Sequence, residues 1–331
     1  MCCGAYYSLV LDADQPGMLH GFGSNAYGEL CVGYGGGAPF NGSADGSWDA
    51  GGFDHRYRGT TCVAVPSRAC ASLRDVDMAA VAAGRSHTLI LTLAGAVWAC
   101  GRNAHAQLGH RFPVLRPGDA TAYPPAPLSG LGPASGQRII GIGCGMNHSL
   151  AVDVEGIVHA WGCNEGGQLG RLGYSSGNEP VLRPMPVPIP GGAGRVVRLS
   201  AGNAHSAALT DGGQVLVWGS GCPPCKTEPT LVALPGLAEA HACGECSSGQ
   251  IVAGAWNTIV ALGAPDTSLR ECAVLAWGSC RAGQCGYPLP TTGLELAHVS
   301  GTLQQPTPLP VEFPGSAAGA GAGTSSSSMT G

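Results

Sequence analysis

Three histidine–hydroxyl pairs stand at matched places in the chain: His87-Thr88, His148-Ser149 and His205-Ser206. A histidine beside a serine or threonine is the raw material of a general base and a nucleophile. Catalysis needs such a pair once, yet here it recurs in successive copies of one repeated stretch, with Asn257 at the fourth place. A role that survives exchange of imidazole for carboxamide is hydrogen bonding, not proton transfer. Each of these side chains is therefore expected to bond the backbone of its own turn, with the hydroxyls doing likewise.

The second set of chemistry-bearing residues is Cys222-Pro-Pro-Cys225 and Cys243-Gly-Glu-Cys246, spaced C-x2-C-x17-C-x2-C. That spacing suits a four-thiolate zinc site. With fifteen cysteines in the chain, two such pairs also arise from composition alone, and both readings stand at this point. Metal analysis giving well under one equivalent of zinc excludes the first. No G-x-x-x-x-G-K-S/T string occurs, and the sole lysine, Lys226, follows Cys225, so no phosphate cradle is expected. No catalytic, cofactor-binding or metal-binding residue is assigned, with Cys222, Cys225, Cys243 and Cys246 as the zinc alternative.

The elements that must position these groups are repeats. Gly145–Gly170 reads GMNHSLAVDVEGIVHAWGCNEGGQLG, and Gly84–Gly109 reads GRSHTLILTLAGAVWACGRNAHAQLG. Shorter versions begin at Gly202 and Gly254, and a fifth copy runs from Tyr7 through Asn25 to Leu30. The intervals between His87, His148, His205 and Asn257 are 61, 57 and 52 residues, a period that means a solenoid or a propeller. Within each copy, two apolar runs flank a glycine-containing turn, the pattern of a β-hairpin. A further apolar run precedes the G-x-x-H turn, as in Arg138–Ile142 and Arg195–Leu199. Proline-rich links follow each copy and read as outer edge strands, where proline is tolerated. Four strands per period make a propeller blade. Trp98, Trp161, Trp218 and Trp277 fall on one strand face and are expected to fill the core.

Bulk properties narrow the function. The chain has 331 residues, 11% of them charged, 55 glycines and a formal net charge of −5. The acidic balance and the lack of a Lys/Arg run argue against nucleic-acid binding. No apolar stretch is long enough for a membrane span. The N-terminus lacks the basic and apolar regions of a signal peptide, so reduced thiols and a cytoplasmic location are expected, with a nuclear one as alternative.

The alternation of W-G-x-N-x-x-G-Q-L-G with A-G-x-x-H-S resembles the regulator-of-chromosome-condensation repeat family, from about Gly4 to Phe313. The resemblance implies an all-β fold, a β-propeller of four-stranded blades, usually seven in the family and about five here. Residues 1–314 form this propeller in that reading, interrupted by a Gly-rich insertion at 34–59 and followed by a Gly/Ala/Ser tail at 315–331, expected to be disordered. The blade begun by Tyr6–Gly33 is expected to take its outer strand from Pro306–Phe313, which joins the chain ends and removes a sheet edge. A closed smaller ring and a partial ring are both compatible with the copies. The function expected is a non-catalytic scaffold that binds a protein partner through its loops. The alternative, implied by the resemblance, is a guanine-nucleotide exchange factor for a Ran-type small GTPase.

Overall fold

Tight glycine turns decide the local structure. Gly95, Gly156 and Gly213 close the central hairpins of three copies with φ of 85°, 81° and 74°, a region open to glycine at little cost. Each hairpin then gains one strand on either side. In the computed structural model, the described residues are 1–12, 18–31, 62–68, 73, 75–109, 123–171, 180–222, 226–234, 248–263, 273–279, 285 and 304–310.

They form five four-stranded antiparallel sheets, each with its strands in chain order, arranged as a β-propeller. Blade 1 holds Cys2–Cys3, Tyr7–Leu11, Leu19–Ser24 and Cys62–Arg68. Blade 2 holds Met78–Ala83, His87–Thr92, Val97–Gly101 and Tyr123–Pro127. Blade 3 is built from Ile139–Cys144, His148–Asp153, Val158–Gly162 and Val181–Pro186, and blade 4 from Val196–Ala201, His205–Thr210, Val215–Gly219 and Thr230–Val232. Ser248–Ala253, Asn257–Gly263, Ala273–Ser279 and Gln304–Pro310 complete blade 5. The first strands of successive blades lie against one another, and the proline-bearing strands are outermost, as the sequence implies.

One expectation is corrected. Pro306–Phe313 does not close the first blade: Gln304–Pro310 pairs with Ala273–Ser279 of blade 5. The outer strand of blade 1 is Cys62–Arg68, paired with Leu19–Ser24. Both strands lie far along the chain from the hairpins they join, so proximity in sequence gave no guide. Positions 34–59 and 315–331 fall outside the described residues.

Packing runs blade to blade in order. A core of Leu89, Leu150, Val158, Trp161, Leu169 and Trp218 joins blades 2, 3 and 4, and a second around Leu209, Val217, Val260 and Trp277 joins blades 4 and 5. Trp161, Trp218 and Trp277 are fully buried, whereas Trp98 is half-buried at the margin of a third core, around Tyr7, Leu9, Leu30 and Ile90, that joins blades 1 and 2. The contacts stop at blade 5. Among the described strands, those of blades 1 and 5 make no contact of comparable extent. The innermost turns record the same order. A Cβ on Gly4, Gly84, Gly145 or Gly202 would lie 2.4–2.6 Å from the carbonyl of the corresponding glycine in the next blade, but one on Gly254 would meet Asn257 alone among its nearest atoms. The described blades therefore form an ordered series with two ends.

Candidate functional site

The matched His–Ser/Thr pairs are brought together by the fold, across blades and not within one turn. His87 Nε2 lies 3.0 Å from Ser149 Oγ, His148 Nε2 2.9 Å from Ser206 Oγ, and His205 Nε2 3.1 Å from Thr258 Oγ1. The expectation of bonds to each residue's own turn is thereby corrected. The cause is geometric: a blade's second strand starts deep in the ring, where its first side chain faces the neighbouring blade.

Each hydroxyl has a second task. Ser149 Oγ donates to the Gln107 carbonyl at 2.7 Å, and Ser206 Oγ donates to the Gln168 carbonyl at 2.8 Å. Since serine has one proton, the imidazole must be the donor to it, in its Nε2–H form. Trp161 Nε1 and Trp218 Nε1 donate to the same two carbonyls at 2.9 and 2.8 Å. The strand register explains the convergence, because Ser149 pairs with Trp161 and Ser206 with Trp218. Hydroxyl and indole thus emerge side by side to grip one carbonyl of the preceding blade.

That carbonyl is presented by the G-x-N-x-x-G-Q-L-G loop. Asn103 and Asn164 accept the backbone N–H of Leu108 and Leu169 through Oδ1, at 3.1 and 3.0 Å. Gln107 and Gln168 accept the N–H of His105 and Gly166 through Oε1. Leu108 and Leu169 are buried beneath the loop. Blade 1 carries Asn25 and Glu29 in these places: Asn25 accepts from Leu30 N, and Glu29 accepts from Tyr27 N and Ser24 Oγ. Burial pushes the Glu29 carboxyl pKa up. Thr88 Oγ1 donates to the Glu29 carbonyl at 2.6 Å, and Tyr7 OH, in the place of the histidines, reaches Thr88 Oγ1 at 3.0 Å. Sequence reasoning missed Tyr7 and Glu29 in these roles. The alignment of Gly4-Ala5-Tyr6-Tyr7 with Gly84-Arg85-Ser86-His87 carried the signal.

Burial makes His87 and His148 poor general bases at neutral pH. Burial pulls the pKa of His87 and His148 down to about 3, because an imidazolium loses its hydration there. Their Nδ1 atoms find no hydrogen-bond partner. They face the glycine opening their own turn, where a Cβ on Gly84 or Gly145 would lie 2.4 Å away. Asp153 and His159, peculiar to the third copy, are also structural. Asp153 Oδ1 accepts the N–H groups of Glu155 and Ile157, and Oδ2 meets His159 Nε2 at 3.1 Å.

The joint between blades 4 and 5 differs. Where the fourth copy lacks the G-Q-L-G sequence, Cys222 Sγ lies 3.4 Å from Thr258 Oγ1. Trp277 Nε1 is buried without a hydrogen-bond partner among the described residues. Cys225, Cys243 and Cys246 lie outside the described residues. The cysteines at 2, 3, 31, 100, 144, 163, 222 and 285 are free thiols.

Exposed apolar groups mark one face. Tyr6 is 74% and Trp256 42% exposed. They hold equivalent places, one residue before Tyr7 and Asn257, in the turns at the two ends of the blade series. Ser86, Asn147 and Ala204 hold that place between them. No helix among the described residues is long and apolar enough to cross a membrane.

Comparison with known proteins places this architecture. Residues 94–152 and 155–209 match the family model described as "Regulator of chromosome condensation (RCC1) repeat", and a second model of that description matches 78–107 and 139–168. The RCC1 domain-containing protein RUG3, mitochondrial, of Arabidopsis thaliana is 35% identical over 182 residues, 51% of this chain and 37% of that protein. The secretion-regulating guanine nucleotide exchange factor of Bos taurus is 29% identical over 226 residues, 67% of this chain and 45% of its own length. The chain thus spans less than half the length of these curated relatives. Among solved structures, yeast RCC1 (Prp20) bound to Kap60 superposes with a TM-score of 0.65 at 19% identity, over 95% of this chain and 63% of that one. Prp20p of Saccharomyces cerevisiae, described with its binding properties to Gsp1p and histones, gives a TM-score of 0.60 at 17% identity, over 93% of this chain and 62% of that one.

Proposed function

The chain carries regulator-of-chromosome-condensation repeats, and from that premise we propose that it is a non-catalytic β-propeller with a regulatory role, binding a protein partner through its loops. The observation that carries this reading is the use of the repeated His and Ser/Thr groups as joints. They are buried and hydrogen-bonded to neighbouring blades. What remains available to a ligand is loop surface, and there the copies differ. Tyr6 and Trp256 offer two exposed aromatic groups on the G-x-x-H turns, of the kind that anchors protein interfaces. Net negative charge favours a protein over a nucleic acid as partner. Free thiols at the eight cysteines named above suit a reducing compartment, cytoplasmic in this reading.

Guanine-nucleotide exchange on a Ran-type small GTPase is the second reading, favoured by the similarity to the Bos taurus exchange factor. Exchange needs no bond-making group; it requires only that the propeller bind the nucleotide-free partner better than the loaded one. Release of bound guanine nucleotide from a panel of small GTPases separates the two. The scaffold reading expects no GTPase to release faster in the presence of the protein. Acceleration of one by about tenfold or more, reduced by Trp256→Ala, replaces it with exchange.

A further inference from the structure

The joints between blades carry one position pair that the hydrogen-bond relay does not use. The residue four places after the glycine that ends a blade's third strand faces the residue one place after that glycine in the next blade. Between blades 1 and 2 the pair is Tyr27 and Arg102, whose guanidinium lies 5.0 Å from the ring centroid. Between blades 3 and 4 it is Gly166 and Ser220, packed so closely that a Cβ on Gly166 would lie 2.4 Å from Ser220 Oγ. Between blades 2 and 3 the pair is His105 and Cys163, and Glu165 joins them. One ligating atom from each of the three lies within 4.8 Å of the others.

We propose that His105, Cys163 and Glu165 bind one Zn2+ that clips blade 2 to blade 3. An imidazole nitrogen, a thiolate and a carboxylate form a mixed borderline donor set suited to zinc. Tetrahedral coordination at metal–ligand distances of about 2.0–2.3 Å sets ligand atoms roughly 3.5 Å apart. The observed separations need only a modest closure, and Glu165 is exposed and free to turn.

The surroundings suit a bound thiolate. Cys163 is buried, 7% exposed, His105 is half-buried and Glu165 is exposed. A cysteine gives up its proton on binding metal. A neutral imidazole has a lone pair to give. A thiolate and a carboxylate balance the charge of the ion. Three protein ligands leave the fourth position of a tetrahedral ion to water. This inference does not depend on the partner-binding reading.

Cobalt(II) serves as the spectroscopic probe in titrations of the full chain. The expected result is one equivalent bound with a thiolate-to-cobalt charge-transfer band, displaced by Zn2+. His105→Ala, which removes no thiol, is expected to weaken binding by about tenfold or more, and Glu165→Gln by a smaller factor. Zn2+ is expected to raise the melting temperature of the wild type and to leave that of His105→Ala unmoved. Absence of cobalt binding by the wild type overturns the proposal. So does binding that His105→Ala leaves unchanged, including binding abolished by Cys243→Ser in its place. Should His105→Ala fail to fold, Glu165→Gln decides, because an exposed carboxylate contributes nothing to the fold without the metal.

Discussion

The joint between blades 3 and 4 and the joint between blades 4 and 5 use the same parts to different ends. In the first, Ser206 and Trp218 converge on the Gln168 carbonyl while His148 donates to the Ser206 hydroxyl, and every donor proton in the group is satisfied. In the second, His205 meets the Thr258 hydroxyl, which in turn meets the Cys222 sulfur, and the Trp277 indole has no acceptor among the described residues. The difference shows what the G-Q-L-G loop does: it presents one carbonyl, at a fixed depth, to two donors of the next blade. Where the loop is lost, the buried indole N–H has no partner among the described residues, and an N–H left unpaired costs about 1–3 kcal/mol. The fourth joint is therefore the weaker one, and local opening is expected to begin there.

The comparison is broken most severely at the glycines of the inner turns. Gly145→Ala would drive a Cβ to 2.1 Å from His148 Cε1 and 2.5 Å from the Gly202 carbonyl, and the backbone cannot yield. A loss of about 4 kcal/mol or more is expected by urea unfolding. Gly254→Ala meets only the side chain of Asn257, and should cost about 1 kcal/mol. Equal losses at the two sites would mean that another blade covers the fifth turn.

Acid should weaken the joints next. His87 and His148 have folded pKa values of about 3, below the unfolded value of about 6.5. The sign follows: their contribution is fully present above pH 6.5 and is lost as pH falls towards 3. Between pH 7 and pH 5 each gives up about 2 kcal/mol. Glu29 acts oppositely, since its raised pKa favours the fold below the unfolded value and loses that contribution as pH rises. Two histidines outweigh it, so the urea midpoint should drop between pH 7 and pH 5; a midpoint constant over that range would contradict the buried neutral histidines.

The smallest effect sharpens the comparison of loops. Ala106 has a φ of 59° where Gly28 and Gly167 have 76°, a conformation costing a non-glycine residue about 1 kcal/mol. Ala106→Gly is expected to raise stability by a few tenths to about 1 kcal/mol, because the chain entropy glycine adds to the unfolded state offsets part of the relief. A loss of stability would show that the Ala106 methyl makes a packing contribution larger than the strain.

Much of this was legible in the sequence. Period, hairpins, proline-bearing outer strands and the burial of three tryptophans all follow from local patterns, because each depends on residues within one copy. The direction of the histidine bonds was not, since His148 and Ser206 are joined across the whole length of a repeat. The same separation hid His105, Cys163 and Glu165, which look unremarkable along the chain and meet only when two loops stack. Trp98 misled for another reason. Cys100 pairs with Thr88, in the register place of the tryptophans elsewhere, so the ring shifted by two keeps its face but lies at the margin. The outer strand of blade 1 was hidden by the insertion at 34–59, which separates it from its hairpin.

The central claim is that the His–Ser/Thr groups are joints between blades and not sites within them. A double-mutant cycle on His148 and Ser206, measured by urea unfolding, tests it directly. His148→Asn, Ser206→Ala and the double variant should show a coupling of about 1 kcal/mol or more, whereas His148→Asn with Ser149→Ala should show almost none. Coupling confined to the adjacent pair His148 and Ser149, with none to Ser206, would contradict the account.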